Sequence, residues 1–120
     1  MFRPIFDLPT GVIGYSAVGK LSGEDYSKVL IPEIEAKLAE GGKLRFLFLA
    51  GPDFEGYEFD AAMGDSLFGM RHFFDFEKIA LVSDDLAFRS LVDAFGMMMP
   101  AQVKSFPVSD LNQAKSWLAE

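Results

Sequence analysis

The chain has 120 residues, half of them hydrophobic, with 11 Lys and Arg against 18 Asp and Glu and no cysteine. That is the length of a single domain, 1–120, able to bury its own core. A net charge of −7 with no basic run excludes nucleic acid held through its phosphates, and the missing thiol excludes disulfides, zinc-thiolate and iron–sulfur sites and thiol nucleophiles.

One histidine leaves no metal site or cofactor to expect. The amino-terminal MFRPIFDLPTGV has no signal-peptide run, and no apolar stretch nears the ~20 residues of a membrane span. The expected location is the cytoplasm, at most peripheral to a membrane. Most of the thirteen Phe are expected in the core, but so many in so small a chain also point to an apolar groove or an exposed patch.

Along the chain, 2–8 (FRPIFDL) and 12–18 (VIGYSAV) read as two strands joined by the turn Pro9-Thr10-Gly11, hence an antiparallel hairpin. Pro4 suits an edge strand, where a missing N–H costs little. Ser22 is a candidate helix N-cap, with Glu24 and Asp25 in the first turn. Tyr26, Leu30, Ile34 and Leu38 then recur on one helical face, with Pro32 expected to kink it and Gly41-Gly42 to end it. LRFLFLA (44–50) is a continuous apolar run, as a central parallel strand covered on both faces would be. Residues 58–73 read as a helix with Phe59, Met63, Leu67 and Met70 inward, and KIALVS (78–83) as another buried strand.

Asp84-Asp85 opens a helix that must stop by Pro100, with Phe88, Leu91, Val92 and Phe95 as its core face and Ala87 beside it. QVKSF (102–106) is a short strand. Ser109 is expected to cap a last helix in which Leu111, Ala114, Trp117 and Leu118 align. The order β-β-α-β-α-β-α-β-α predicts an α/β domain: a mostly parallel sheet of about five strands, an antiparallel amino-terminal strand and four helices.

The ordered set 19-GKLSGEDY-26, 44-LRFLFLA-50, 54-FEGYEFDAAMGD-65, His72, 76-FEKIALVSDD-85, Phe106 and 114-AKSWLA-119 resembles the SpoIIAA-like family, within the wider STAS (anti-sigma-factor antagonist) fold group. The resemblance implies a small α/β domain without known catalytic activity. Members of the wider group act by binding partner proteins, often under Ser/Thr phosphorylation. The SpoIIAA-like branch is also similar in outline to CRAL-TRIO lipid-binding domains, which implies an apolar ligand or a membrane surface.

Gly64-Asp65-Ser66-Leu67 spells the motif of GDSL serine esterases. Such an esterase carries its serine just after the first strand and its histidine in a distant Asp-x-x-His; here the motif is mid-chain, and Gly69 stands three residues before His72. On a helix, six steps turn the chain by about 600°, so Ser66 and His72 would point roughly 120° apart with about 9 Å of rise between them. A base must come within about 3 Å of its nucleophile, so the pair fails as a catalytic unit. Phosphorylatable STAS domains place an Asp-Ser pair at a helix start directly after the third strand. Asp65-Ser66 comes some fifteen residues past Ala50, inside the expected helix, so that phosphosite does not carry over cleanly to Ser66.

His72, between aromatics, is ordinarily a hydrogen-bonded structural residue, and otherwise a ligand or a switch near neutral pH. Asp65 could pair with it or cap a neighbouring backbone. Ser83 to Asp85 follow a parallel strand, where ligands of open α/β sheets gather, which makes Asp84 a polar candidate. No phosphate-binding glycine motif and no paired-acid or calcium-loop spacing occurs.

After the inward faces are filled, Tyr57, Phe68, Phe73, Phe74, Met97 and Met98 are left over. They pack on one another or in a homodimer, or they line a groove for a lipid-like ligand or touch a membrane. The expectation is a non-catalytic binding or regulatory module for an apolar ligand, a membrane surface or a partner protein. The alternatives are a phospho-switched partner-switch protein and a GDSL-like hydrolase.

Overall fold

The computed structural model describes residues 1–58 and 75–120. At the amino terminus β1 (Phe2–Pro4) runs antiparallel to β2 (Val12–Ala17), with Phe2 opposite Ala17 and Pro4 opposite Tyr15. The hairpin is as expected, but its first strand stops at Pro4 rather than Leu8. Asp7 takes a left-handed φ of 62°, which turns the chain away and sets Ile5 and Leu8 against the core. Burial first, and then the Glu33 carboxylate, push the phenol of Tyr15 above its ordinary value.

After Ala17 the chain bends into β3 (Gly19–Leu21), a strand the sequence reading lacked. Ser22 then caps α1 (Gly23–Asp25) through a reciprocal box: Asp25 N–H donates to Ser22 Oγ at 3.2 Å, and Ser22 N–H donates to Asp25 Oδ2 at 2.8 Å. Burial alone would raise the Asp25 carboxyl. The Ser22 N–H and hydroxyl and the Met1 ammonium outweigh it and hold the carboxyl below its ordinary value.

Removing the hydroxyl in Ser22→Ala should therefore cost about 1 kcal/mol at neutral pH. A depressed carboxyl contributes stability above its unfolded pKa and loses it as pH falls through the folded one. Urea unfolding should show the gap between the variant and the parent protein narrowing in acid.

The chain is helical without a break from α1 through a π-helical turn (Tyr26–Leu30) into α2 (Ile31–Ala39), and Pro32 lies inside that helix as expected, directly after the widened turn. Gly41 and Gly42, at φ of 97° and 82°, end that helix.

β4 (Leu44–Ala50) follows, then β5 (Phe54–Tyr57), β6 (Phe76–Ser83), α3 (Leu86–Gly96), β7 (Gln102–Phe106), a 3-10 turn (Val108–Asp110) and α4 (Leu111–Ala119). The main sheet has the order β1-β2-β4-β6-β7, parallel except at β1, with β4 in the middle as its apolar run predicts. β3 and β5 pair parallel in a two-stranded leaf, extending β2 and β4 beyond the end of the sheet.

Alternation along the central strands makes two cores. Leu44, Phe46, Phe48, Phe76 and Leu81 face Tyr26, Leu30 and Ile34; Leu47, Ala80 and Val82 face Ala114 and Leu118 of α4. The α4 alignment of Leu111, Ala114, Trp117 and Leu118 is as expected, but Ser109 is not its cap. It lies within the 3-10 turn, and α4 begins after Asp110 with no side-chain cap bond.

The helix expected to stop by Pro100 ends at Gly96, and only part of its assigned core face is inward. Phe88 and Val92 pack on the first core, with Met99 beside them. Leu91 and Phe95 face solvent, at 69% and 52% exposure.

Candidate functional site

The carboxyl ends of β4 and β6 and the first turn of α3 meet at a cleft of about 170 Å³. Its walls are Ala50, Pro52, Phe54, Phe88 and Val108, and Ser83, Asp84 and Asp85 form its polar side. The strand ends place it where ligands of open parallel sheets gather. Gly51 lines it as well, and a Cβ built there meets nothing within 4 Å.

The polar side is held in place by local bonds. Asp85 caps α3, its Oδ1 accepting from Phe88 N–H at 3.1 Å. Ser83, buried, accepts from Asp85 N–H at 3.1 Å. Asp84 Oδ1 accepts from Val108 N–H at 2.9 Å and so ties the loop after β6 to the turn before α4. Two carboxylates at the head of α3 repel an anion that the helix terminus would otherwise attract.

The apolar wall continues into an aromatic cluster. Phe54 stacks on Phe88 at 6.1 Å between ring centroids, and Tyr57 meets both edge-on, at 5.4 Å and 6.3 Å. Tyr57 also stacks on buried Tyr26 at 6.5 Å. The unpredicted β3–β5 leaf positions Phe54 and Tyr57, and thereby gives the cleft one of its walls. Gly56, at a left-handed φ of 107°, stands beside the register shift in that pair.

Of the residues singled out from sequence, the structure brings Asp84 to the cleft and Tyr57 to the cluster behind it. Met97 and Met98 lie at the far end of α3, 88% and 77% exposed, away from the cleft. Asp65, Ser66, Phe68, His72, Phe73 and Phe74, and with them the expected helix over 58–73, fall outside the described residues. Among the described residues no three His, Cys, Asp or Glu side chains converge as metal ligands would, and no helix is long and apolar enough to cross a membrane.

These features define a layered α/β domain with a small cleft, apolar on one side and polar on the other, at its strand ends. The sequence model of the SpoIIAA-like family matches residues 12–119, and the chain belongs to that family. An uncharacterised DUF3478-family protein with a SpoIIAA-like fold, from Shewanella loihica PV-4, is similar at 24% identity with a TM-score of 0.80 over 98% of this chain and 92% of that one. That likeness shows the fold. No curated protein matches the chain. A SpoIIAA-like fold fits a regulatory or binding module, and the family is generally non-catalytic.

Proposed function

We propose that this domain is a non-catalytic binding module that takes the apolar end of a lipid-like ligand in the cleft at the head of α3. The observation that carries the reading is the pairing of apolar walls, Ala50, Pro52, Phe54, Phe88 and Val108, with one polar side at Ser83 to Asp85. At about 170 Å³ the cleft is smaller than the ~300–1,000 Å³ of pockets that swallow a whole ligand. It holds a chain end, with the rest outside. Asp84 and Asp85 select an uncharged or cationic headgroup over a phosphate or carboxylate.

The same carboxylates weigh against a phospho-switch at this helix start, as does the burial of Ser83, whose hydroxyl already accepts from Asp85. A net charge of −7 weighs against docking on an anionic membrane.

Native mass spectrometry on protein purified gently from its own cells tests the reading. A lipid-sized adduct extractable by organic solvent is expected. Gly51→Leu puts a side chain into the open space of the cleft without crowding the core, and should lose that adduct while unfolding like the parent protein. Parent protein free of any adduct, or an adduct that Gly51→Leu retains, would sink the proposal.

A further inference from the structure

Side chains alternate along β6, so that Val82 faces α4 and Leu81 faces the first core. Ser83 therefore turns to the side where Phe54 and Phe88 stand, and it lines the cleft at 2% exposure. Opposite it on β4 is Ala50, which presents only a methyl group to the same cleft. Ser83 Oγ accepts from Asp85 N–H at 3.1 Å, but among the described residues its own O–H donates to nothing. A buried donor left unmade is costly, so this hydroxyl calls for an acceptor from outside the chain. Beside it, Asp84 and Asp85 engage their Oδ1 atoms with Val108 N–H and Phe88 N–H. Their Oδ2 atoms accept from no described residue.

Building on the cleft reading above, on which this step rests, we infer that the ligand is an aliphatic alcohol. Its hydroxyl oxygen accepts from Ser83 O–H, and its proton is donated to Oδ2 of Asp84 or Asp85. The adjoining chain lies along Phe54, Phe88 and Val108. The other head groups each fail on one side. A carboxylate or phosphate accepts from Ser83 but meets two like charges. An ammonium pairs with the carboxylates and leaves the Ser83 donor buried and unmet. An ether or ester oxygen answers Ser83 and offers the carboxylates no proton. A hydroxyl is the smallest neutral group that both accepts and donates. Discrimination by a buried polar group left unpaired is stronger than what one methylene more or less gives in an apolar slot.

Titrations of the parent protein with 1-hexanol, hexanoate, hexylammonium and 1-methoxypentane, followed by the NMR signals of Phe54 and Phe88, test this. The alcohol should bind about tenfold more tightly than each of the other three probes. Ser83→Ala should erase the preference over hexylammonium. Asp84→Asn keeps an oxygen for Val108 N–H and removes the charge, so it should narrow the gap to hexanoate by about fivefold. Urea unfolding of each variant reads any loss of the Asp85 or Val108 bond separately, and the probe series on the parent protein stands whether or not Ser83→Ala folds. The adduct extracted from native protein should carry a free hydroxyl and no charged group. A fatty acid or an amine in its place, or four probes of equal affinity at Phe54 and Phe88, overturns the alcohol and leaves the cleft reading standing. No shift with any probe also overturns the alcohol, and if the native protein is free of adduct as well, the cleft reading falls with it.

Discussion

Replacing Gly96 with alanine should destabilise the domain by about 2–3 kcal/mol, in the range of overpacked cores. A Cβ at position 96 would overlap Val103 Cβ on β7 and reach Cγ1 at 2.9 Å and Cγ2 at 3.0 Å. Val103 Cβ is fixed to a strand held in the sheet by its pairing to β6, so the helix has to move instead. α3 supplies one wall of the cleft, so displacing it should also weaken the proposed ligand retention. Urea unfolding measures the stability loss, and native mass spectrometry the second effect. Gly51→Ala is the control: its Cβ meets open space, and it should change stability by less than about 0.5 kcal/mol. Val103→Ala removes two of the three crowding atoms and should restore part of the loss in the double variant. An additive double variant would mean the helix sits elsewhere.

Gly96 also explains what the sequence could and could not tell about this helix. Helical periodicity assigned Phe88, Leu91, Val92 and Phe95 to the core, because apolar residues cover more than half of the wheel and period alone cannot choose an arc. The helix presents Gly96 to Val103, and at about 100° per residue that centres the buried arc near Val92. Leu91 and Phe95 then fall to one side. A glycine near the end of an apolar helix, read as a point of close approach and not merely as a stop, would have signalled this.

The main strands were legible for the opposite reason. LRFLFLA and QVKSF are runs with no competing period, and they form strands over the predicted residues, 44–50 and 102–106. β3 and β5 were invisible because three- and four-residue strands containing Gly19 and Gly56 carry neither alternation nor β-branched residues. The cleft was half legible. Asp84 followed from strand order, but the Phe54 wall depended on the leaf. Pro32 points to an irregularity in its helix, but not to its form, a widened π-helical turn just before the proline.

Lys78 was not singled out from sequence, and its substitution should have the most readily observed effect of any single change. It is 6% exposed in the middle of a parallel sheet, an unusual place for a lysine. Its Nζ donates to Trp117 O at 2.9 Å and sits 5.0 Å above the Trp117 ring. Arg45, on the neighbouring strand, donates to Leu118 O and pairs with Glu77 at 2.7 Å. Two cations from the sheet thus close the carbonyl end of α4, where the helix dipole favours positive charge. They do from outside what α4 lacks within itself, for its last turn holds no basic residue.

Lys78→Met keeps the buried stem and removes the ammonium. The lost charged hydrogen bond and ring contact should cost about 2 kcal/mol. For a domain of this size that lowers the melting temperature by roughly 8 °C. Lys78→Ala also forfeits the stem and should cost about 1 kcal/mol more. Trp117 is the only tryptophan, so its emission reports on α4 directly. The indole loses its covering cation and gains water in either variant, and its emission should shift to the red before global unfolding. Lys78→Arg can reach the same carbonyl and should retain most of the stability. A Lys78→Met protein as stable as its parent, with unchanged emission, would mean that α4 is held by its apolar face alone and that the buried lysine contributes nothing net to the fold.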